Sequence, residues 1–185
     1  MKRAIDINIS EFILKELKTY KDWPKAGVNF LNTVELCKDP ASFFYSVEWY
    51  NHLAEDYNCS ALFAVDARGF LWASPVAYNK RLPLHVVRKK GKMPGDLVSK
   101  EYQLEYGADT LQLAKINKPE GKVLIVDDVL ATGGTVGAVC KLLHEEIGVK
   151  YEDIIVATLL NITFLGGEEK IKALGAEVIN LIDVN

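Results

Sequence analysis

Val123–Thr135 reads VLIVDDVLATGGT: a short apolar run, two adjacent carboxylates, then a loop of small residues. Val123 to Val126 have the composition of a compact buried strand, and Gly134 to Ile147 follow with helical character. Between them, Ala131 to Thr135 can turn their main-chain N–H groups inward around a phosphate. The N-terminus of the helix adds a favourable dipole, and the hydroxyls of Thr132 and Thr135 add donors. Gly133 and Gly134 let the backbone approach an anion with no Cβ in the way. No Gly-Lys-Ser/Thr follows, so the string is not a Walker loop. Asp127 and Asp128 would repel a phosphate directly, so they must face another part of the same ligand. Sugar hydroxyls or a hydrated Mg²⁺ suit them.

Working outward, strand-like runs recur at Ala61–Val65, Leu84–Val87, Ile154–Leu160 and Val178–Ile182. Helical patterns lie between them. Ser10 can cap a first helix with Ile13, Leu14, Leu17 and Tyr20 on one face. Asp39-Pro40 starts a second, the Asp capping and the Pro taking the first turn, with Phe43, Val47, Tyr50 and Ala54 at helical spacing. A helical stretch follows Gly69, and Glu168–Leu174 is a short helix. Residues 21–38 read as irregular, and residues 88–107 as a mobile hairpin-like excursion. Strands alternating with helices predict an α/β fold: a mostly parallel central sheet flanked by helices, as one domain over residues 1–185. In such sheets ligands bind where strand C-termini meet loops, which is where VLIVDDVLATGGT lies.

The bulk numbers limit the partners. The 185 residues carry 49% hydrophobic and 25% charged side chains, enough for a substantial core. A net charge of -3 gives no general attraction for nucleic acid or an anionic membrane. Cys37, Cys59 and Cys140 are odd in number without metal-like spacing, and read as buried reduced thiols in a reducing compartment. The N-terminus has no apolar signal core and no run is long enough to span a bilayer, so a cytoplasmic protein is expected. His52, His85 and His144 match no triad or ligand spacing and are assigned structural roles.

The string at 123–135 resembles the signature of the type I phosphoribosyltransferases. That resemblance implies their fold, with a small N-terminal hood (residues 1–38) and a flexible catalytic loop (residues 88–107). It also implies that Ala131, Thr132, Gly133, Gly134 and Thr135 bind a 5-phosphate, while Asp127 and Asp128 hold the ribose hydroxyls.

Three further segments are similar to the adenine branch of that family. In VRKKGKMPGDLVSKEYQLEYG (Val87–Gly107), Arg88, Lys89, Lys90 and Lys92 form a cationic cluster suited to diphosphate, and Gly91, Pro94 and Gly95 punctuate a hinge. The resemblance makes Glu105 the proton-transfer residue at the adenine imidazole, with Tyr106 helping to close the site. VDARGF (Val65–Phe70) looks like the family's diphosphate loop, which often has a cis peptide just before the Arg. Arg68 offers a bidentate cation there and Gly69 a tight turn. WPKAGVNFLNTVEL (Trp23–Leu36) resembles the base-binding segment. This implies adenine contacts from Val28, Asn29, Phe30 and Leu31, with Phe30 stacking on the ring and Leu130 covering its other face.

Two departures stand out. Leu31-Asn32 replaces the usual Arg-Asp, and Asn29 holds a normally apolar position. Ala131 is a different matter: it stands where the hypoxanthine/guanine enzymes usually place an Asp, which weighs against a 6-oxopurine substrate. LLNITFLGGEEKI (Leu159–Ile171) resembles a family stretch in which Asn161 and Gly167 replace Glu and Arg, and it is assigned to packing.

The resemblance as a whole implies an Mg²⁺-dependent transfer: adenine and 5-phosphoribosyl-1-diphosphate become AMP and diphosphate. No direct protein ligand is assigned to the Mg²⁺, which substrate and water would hold near Asp127 and Asp128. A homodimer is implied too. The alternatives are a phosphoribosyltransferase for another purine (xanthine or guanine), or a non-catalytic sensor of the sugar diphosphate.

Overall fold

The computed structural model describes residues 8–23, 25–27, 29–104 and 107–185. The chain runs α1 (Ile9–Glu16), β1 (Lys18–Tyr20), β2 (Phe30–Asn32), α2 (Pro40–Asp56), β3 (Ala61–Val65), α3 (Gly69–Lys80) and β4 (Leu84–Lys89). It continues through β5 (Leu97–Leu104), β6 (Gly107–Ala114), β7 (Val123–Leu130), α4 (Gly134–Leu142), β8 (Ile154–Ile162), α5 (Gly167–Lys172) and β9 (Glu177–Val184). A seven-stranded sheet has the order β5-β6-β4-β3-β7-β8-β9. The β4-β3-β7-β8-β9 pairs are parallel, and β4-β6 and β5-β6 are antiparallel.

The central strands β3, β7 and β8 are buried on both faces, which is why they read as apolar runs. Successive side chains of β7 alternate between two cores. Val123 and Ile125 pack with Val136, Val139 and Leu143 on one side, Leu124 and Val126 with Tyr50, Trp72 and Val76 on the other. Phe63 and Leu62 of β3 divide in the same way. The β7 strand therefore sits in the middle of the sheet with its C-terminal end, and the loop it feeds, held from both sides.

Several expectations are corrected. Asn8 caps α1, accepting from the Glu11 N–H at 3.4 Å, while the Ser10 hydroxyl donates to Asn8 Oδ1 at 2.6 Å. Ser10 already lies within the first turn, where it cannot cap. Tyr20 is not on a helix face: α1 ends at Glu16, and Lys18–Tyr20 pairs antiparallel with Phe30–Asn32. Three-residue strands are too short to show a period in sequence. The segment read as wholly irregular contains that second strand and a 3₁₀ turn over Thr33–Lys38. Much of the excursion expected at 88–107 is ordinary sheet, since Leu97–Leu104 pairs along its length with Gly107–Ala114. The helix expected to reach Ile147 leaves α geometry after Leu142 for a π-helical turn.

Asp39 behaves as read, accepting from the Ser42 N–H at 2.7 Å with Pro40 in the first turn. All three cysteines are free; Cys59 and Cys140 are buried, Cys37 only partly. Burial pushes the Cys59 thiol up to about 11 and that of Cys140 up to about 12. Among the described residues, no helix is long and apolar enough to cross a membrane. His85 stacks on Phe63 and His144 on Tyr151.

Candidate active site

At the C-terminal end of β7 the chain turns through residues 131–135 into α4. This turn forms one wall of a cavity of about 220 Å³, with Asp66, Arg68, Asp127 and Val129 on its other sides. Gly133 adopts φ +72°, a conformation that disfavours any side chain, and its main chain lies directly against Gly167. The Leu159–Ile171 stretch, assigned to packing, thus packs against the loop itself. Lys170 Nζ also donates to the Thr132 carbonyl at 3.0 Å. On the opposite wall, Gly69 begins α3 so close to β7 that a Cβ there would overlap the Val126 carbonyl. The peptide bond Asp66–Ala67 is cis, one bond earlier than expected.

The acidic pair divides into two environments. Asp128 is 1% exposed, accepts from the Thr33 hydroxyl at Oδ2, and forms an ion pair at the same oxygen with Arg68 Nε at 3.1 Å. Its Oδ1 is buried with no protein donor. Asp127 is half-buried and lines the cavity. Its Oδ1 accepts the Asp128 N–H at 2.9 Å, and its carbonyl accepts from the Tyr50 hydroxyl at 2.6 Å. Burial first, then the neighbouring Asp128 charge, raises the Asp127 carboxyl well above the usual carboxylate range.

A second, more open cleft adjoins the first. It is lined by Tyr20, Trp23, Phe30, Asn32, Val34 and Arg68. Trp23 and Phe30 meet edge to face with centroids 4.4 Å apart, and the Arg68 guanidinium lies 5.7 Å from the Phe30 ring centroid. Arg68 is therefore the shared wall of both clefts. Alternation along β2 puts Phe30 and Asn32 on the cleft side, while Leu31 packs against the core. The side chain of Leu31 thus faces away from the cleft where a base contact was expected, leaving its main chain for that role. Asn29 is exposed and outside the cleft lining. Leu130 lines the first cavity and not the aromatic cleft, and at 1% exposed most of it belongs to the core. Val28, Glu105 and Tyr106 lie outside the described residues.

Of the cationic cluster, Arg88 reaches the cavity wall while Lys89 is held away from it. Arg88 Nε pairs with Asp66 Oδ2 at 3.0 Å and its Nη1 donates to the Lys92 carbonyl at 3.2 Å. Lys89 pairs with Asp109 at 2.9 Å, an interaction that raises the lysine and lowers the carboxyl. Lys92 is exposed. Asp66 and Asp109 supply the counter-charges: Asp66 holds Arg88 at the cavity wall, and Asp109 holds Lys89 to the hairpin. Thr33, Tyr20 and Trp23 were also missed. The aromatics were legible as residues next to Phe30, but the strand pairing that gathers them was not. Among the described residues, no group of three or more His, Cys, Asp or Glu side chains converges to hold a metal.

Comparison with known proteins gives one consistent answer. Residues 45–181 match the model of the phosphoribosyl transferase domain. The chain is 39% identical over 170 residues to the adenine phosphoribosyltransferase of Marinobacter nauticus, covering 91% of this chain and 93% of the relative. It is 40% identical over 179 residues to that of Mycoplasmopsis pulmonis, covering 96% and 100%. The fold superposes on the crystal structure of adenine phosphoribosyltransferase from Thermoanaerobacter pseudethanolicus with a TM-score of 0.85 at 36% identity, covering 95% of this chain and 99% of the other. The Giardia lamblia enzyme complexed with 9-deazaadenine gives 0.87 at 29% identity, covering 95% and 98%.

Proposed function

Because the chain belongs to the adenine phosphoribosyltransferase family, we propose that it joins adenine to 5-phosphoribosyl-1-diphosphate, forming AMP and diphosphate. One observation carries the reading. A glycine-built loop and Asp127 share a cavity whose Arg68 wall is also the wall of an aromatic cleft, and the buried Asp128 pairs with that same Arg68. A sugar bearing a 5-phosphate and a 1-diphosphate spans the first space, and a purine fits the second. Incubating the purified protein with Mg²⁺, the sugar diphosphate and a mixture of purines should yield AMP. Predominant GMP, IMP or XMP would replace this reading with another purine, and no nucleotide at all would favour a sensor.

In this mechanism the 131–135 amides hold the 5-phosphate, and Asp127 and Asp128 accept the ribose hydroxyls. As the C1–O bond breaks, positive charge grows on the ribose and negative charge on the leaving diphosphate. Arg68 and Arg88, joined by Lys89 and Lys92 when the loop closes, stabilise the latter, while Gly69 keeps the loop close enough. Adenine N9 then bonds to C1, and Glu105 exchanges a proton at the imidazole while Tyr106 helps exclude water. Asp127 and Asp128 offer the hard oxygens that Mg²⁺ prefers but too few for a cage, so the ion would be held mainly by substrate and water. When bound, Mg²⁺ neutralises diphosphate charge. A homodimer working in the cytoplasm completes the proposal. Leu71 and Tyr78, exposed apolar residues on α3, suit a subunit contact, and the free thiols suit a reducing compartment.

Two substitutions test the assigned roles. Glu105→Gln should lower kcat about 100-fold while KM for both substrates stays close to wild type, because a general acid–base group acts only in the transition state. Steady-state kinetics that left kcat intact would remove Glu105 from the mechanism. Phe30→Ala should raise KM for adenine about tenfold, through loss of stacking area, and leave KM for the sugar diphosphate unchanged. An effect on the sugar diphosphate alone would place the base elsewhere.

A further inference from the structure

Thr33 opens the 3₁₀ turn that follows β2 and is completely buried. A hydroxyl in that position must find a partner. It finds one 95 positions further along the chain, donating to Oδ2 of Asp128, the oxygen that also takes Arg68 Nε at 3.1 Å. Two donors on one carboxylate oxygen fix the plane of the group, and the second oxygen, Oδ1, is then left buried and without a donor. Burying an acceptor unpaired is costly, so this orientation has to be enforced. The two enforcing groups are not equivalent. Arg68 is 37% exposed at its side chain and borders both clefts, where diphosphate competes for it. Thr33 has no other partner and cannot follow a ligand.

We infer that Thr33 is a positioning residue that holds the Asp128 carboxylate, buried behind the cavity lining, so that its unpaired Oδ1 takes a ribose hydroxyl once Arg68 has turned to the diphosphate and uncovered it. The inference rests on the reading that Asp128 receives those hydroxyls. It also ties the hood segment to the sugar site, because the residue that anchors β2 is the one that aims the carboxylate.

Thr33→Val keeps the shape and removes the donor, whereas Thr33→Ser keeps the donor. Thr33→Val should raise KM for the sugar diphosphate roughly tenfold, the loss of one hydrogen bond to a charged group. Its kcat and its KM for adenine should stay within about twofold, as expected for a contact made equally in ground and transition states. Thr33→Ser should behave as wild type, and in an Asp128→Asn background Thr33→Val should add no further loss. Thr33→Ala serves by the same criteria if the valine variant does not fold.

The role would be overturned by a serine variant as impaired as the valine variant, by an effect on adenine in place of the sugar diphosphate, or by losses that multiply in the double variant. A wild-type protein that makes no AMP would defeat the proposed activity itself. An active wild type with an unaltered valine variant would defeat only the role of Thr33.

Discussion

Gly133→Ala is expected to lower kcat/KM for the sugar diphosphate on the order of 10³-fold, and to do so in a folded protein. Two constraints act together. The residue sits at φ +72°, where an L side chain is strained by roughly 1–3 kcal/mol. A Cβ would also lie 2.8 Å from the Gly167 carbonyl oxygen and 3.0 Å from the Gly167 Cα. Both obstacles are main chain, so no rotamer change relieves them. Gly167 cannot retreat either, because it is wedged against the Ala131 carbonyl and the Gly133 nitrogen. The loop must move instead. A displacement near 1 Å at a preorganised site costs about 100-fold, and losing even one aligned anion donor costs about 10²–10³.

Gly148→Ala provides the control. Its φ is +82° with nothing near a Cβ, and it lies outside the cavity lining. It should reduce thermal stability and spare activity. Unchanged kinetics for Gly133→Ala would mean that the 131–135 turn does not grip the phosphate.

The same glycine illustrates what could be read from residues alone. The TGGT string announced a loop that approaches an anion because small residues have few other uses after a buried strand. Nothing in it named Gly167, thirty-four positions away, as the surface that shapes the loop. The central strands were legible for a similar reason: buried on both faces, Ala61–Val65 and Val123–Val126 are continuous apolar runs that polar positions do not interrupt. The two-stranded hood was not, since Lys18–Tyr20 and Phe30–Asn32 are three residues each and paired across a long connection. That omission hid the alternation that turns Phe30 and Asn32 to the cleft and Leu31 to the core. Charge was the least legible property. Four cations between Arg88 and Lys92 suggested a diphosphate grip, but where each points depends on Asp66 and Asp109, and a sequence does not report such pairings. Asp128 looked equivalent to Asp127 in the string. Only the fold separates a buried, doubly anchored carboxylate from a half-exposed neighbour.

That separation makes Asp128→Asn the second large prediction. Thr33 and Arg68 both donate to Oδ2, so an asparagine must place its carbonyl there, because an NH₂ group would set donors against donors. The amide nitrogen then takes the position of Oδ1 and offers hydrogens where an acceptor is needed. The substitution thus removes the negative charge and reverses the polarity of the buried atom to which the proposed function gives the ribose contact. A hydrogen bond to a charged group contributes about 1.5–3 kcal/mol, and leaving a polar group without a partner in a closed site costs about 1–3 kcal/mol. Together these place the loss in kcat/KM for the sugar diphosphate near 10³-fold. Calorimetric titration with the sugar diphosphate should show the same weakening. The melting temperature should change little, since Arg68 is 37% exposed at its side chain and can return to water. If the variant bound the sugar diphosphate normally yet melted many degrees lower, Asp128 would be a structural counter-ion for Arg68, and the ribose would have to be held by Asp127 without it.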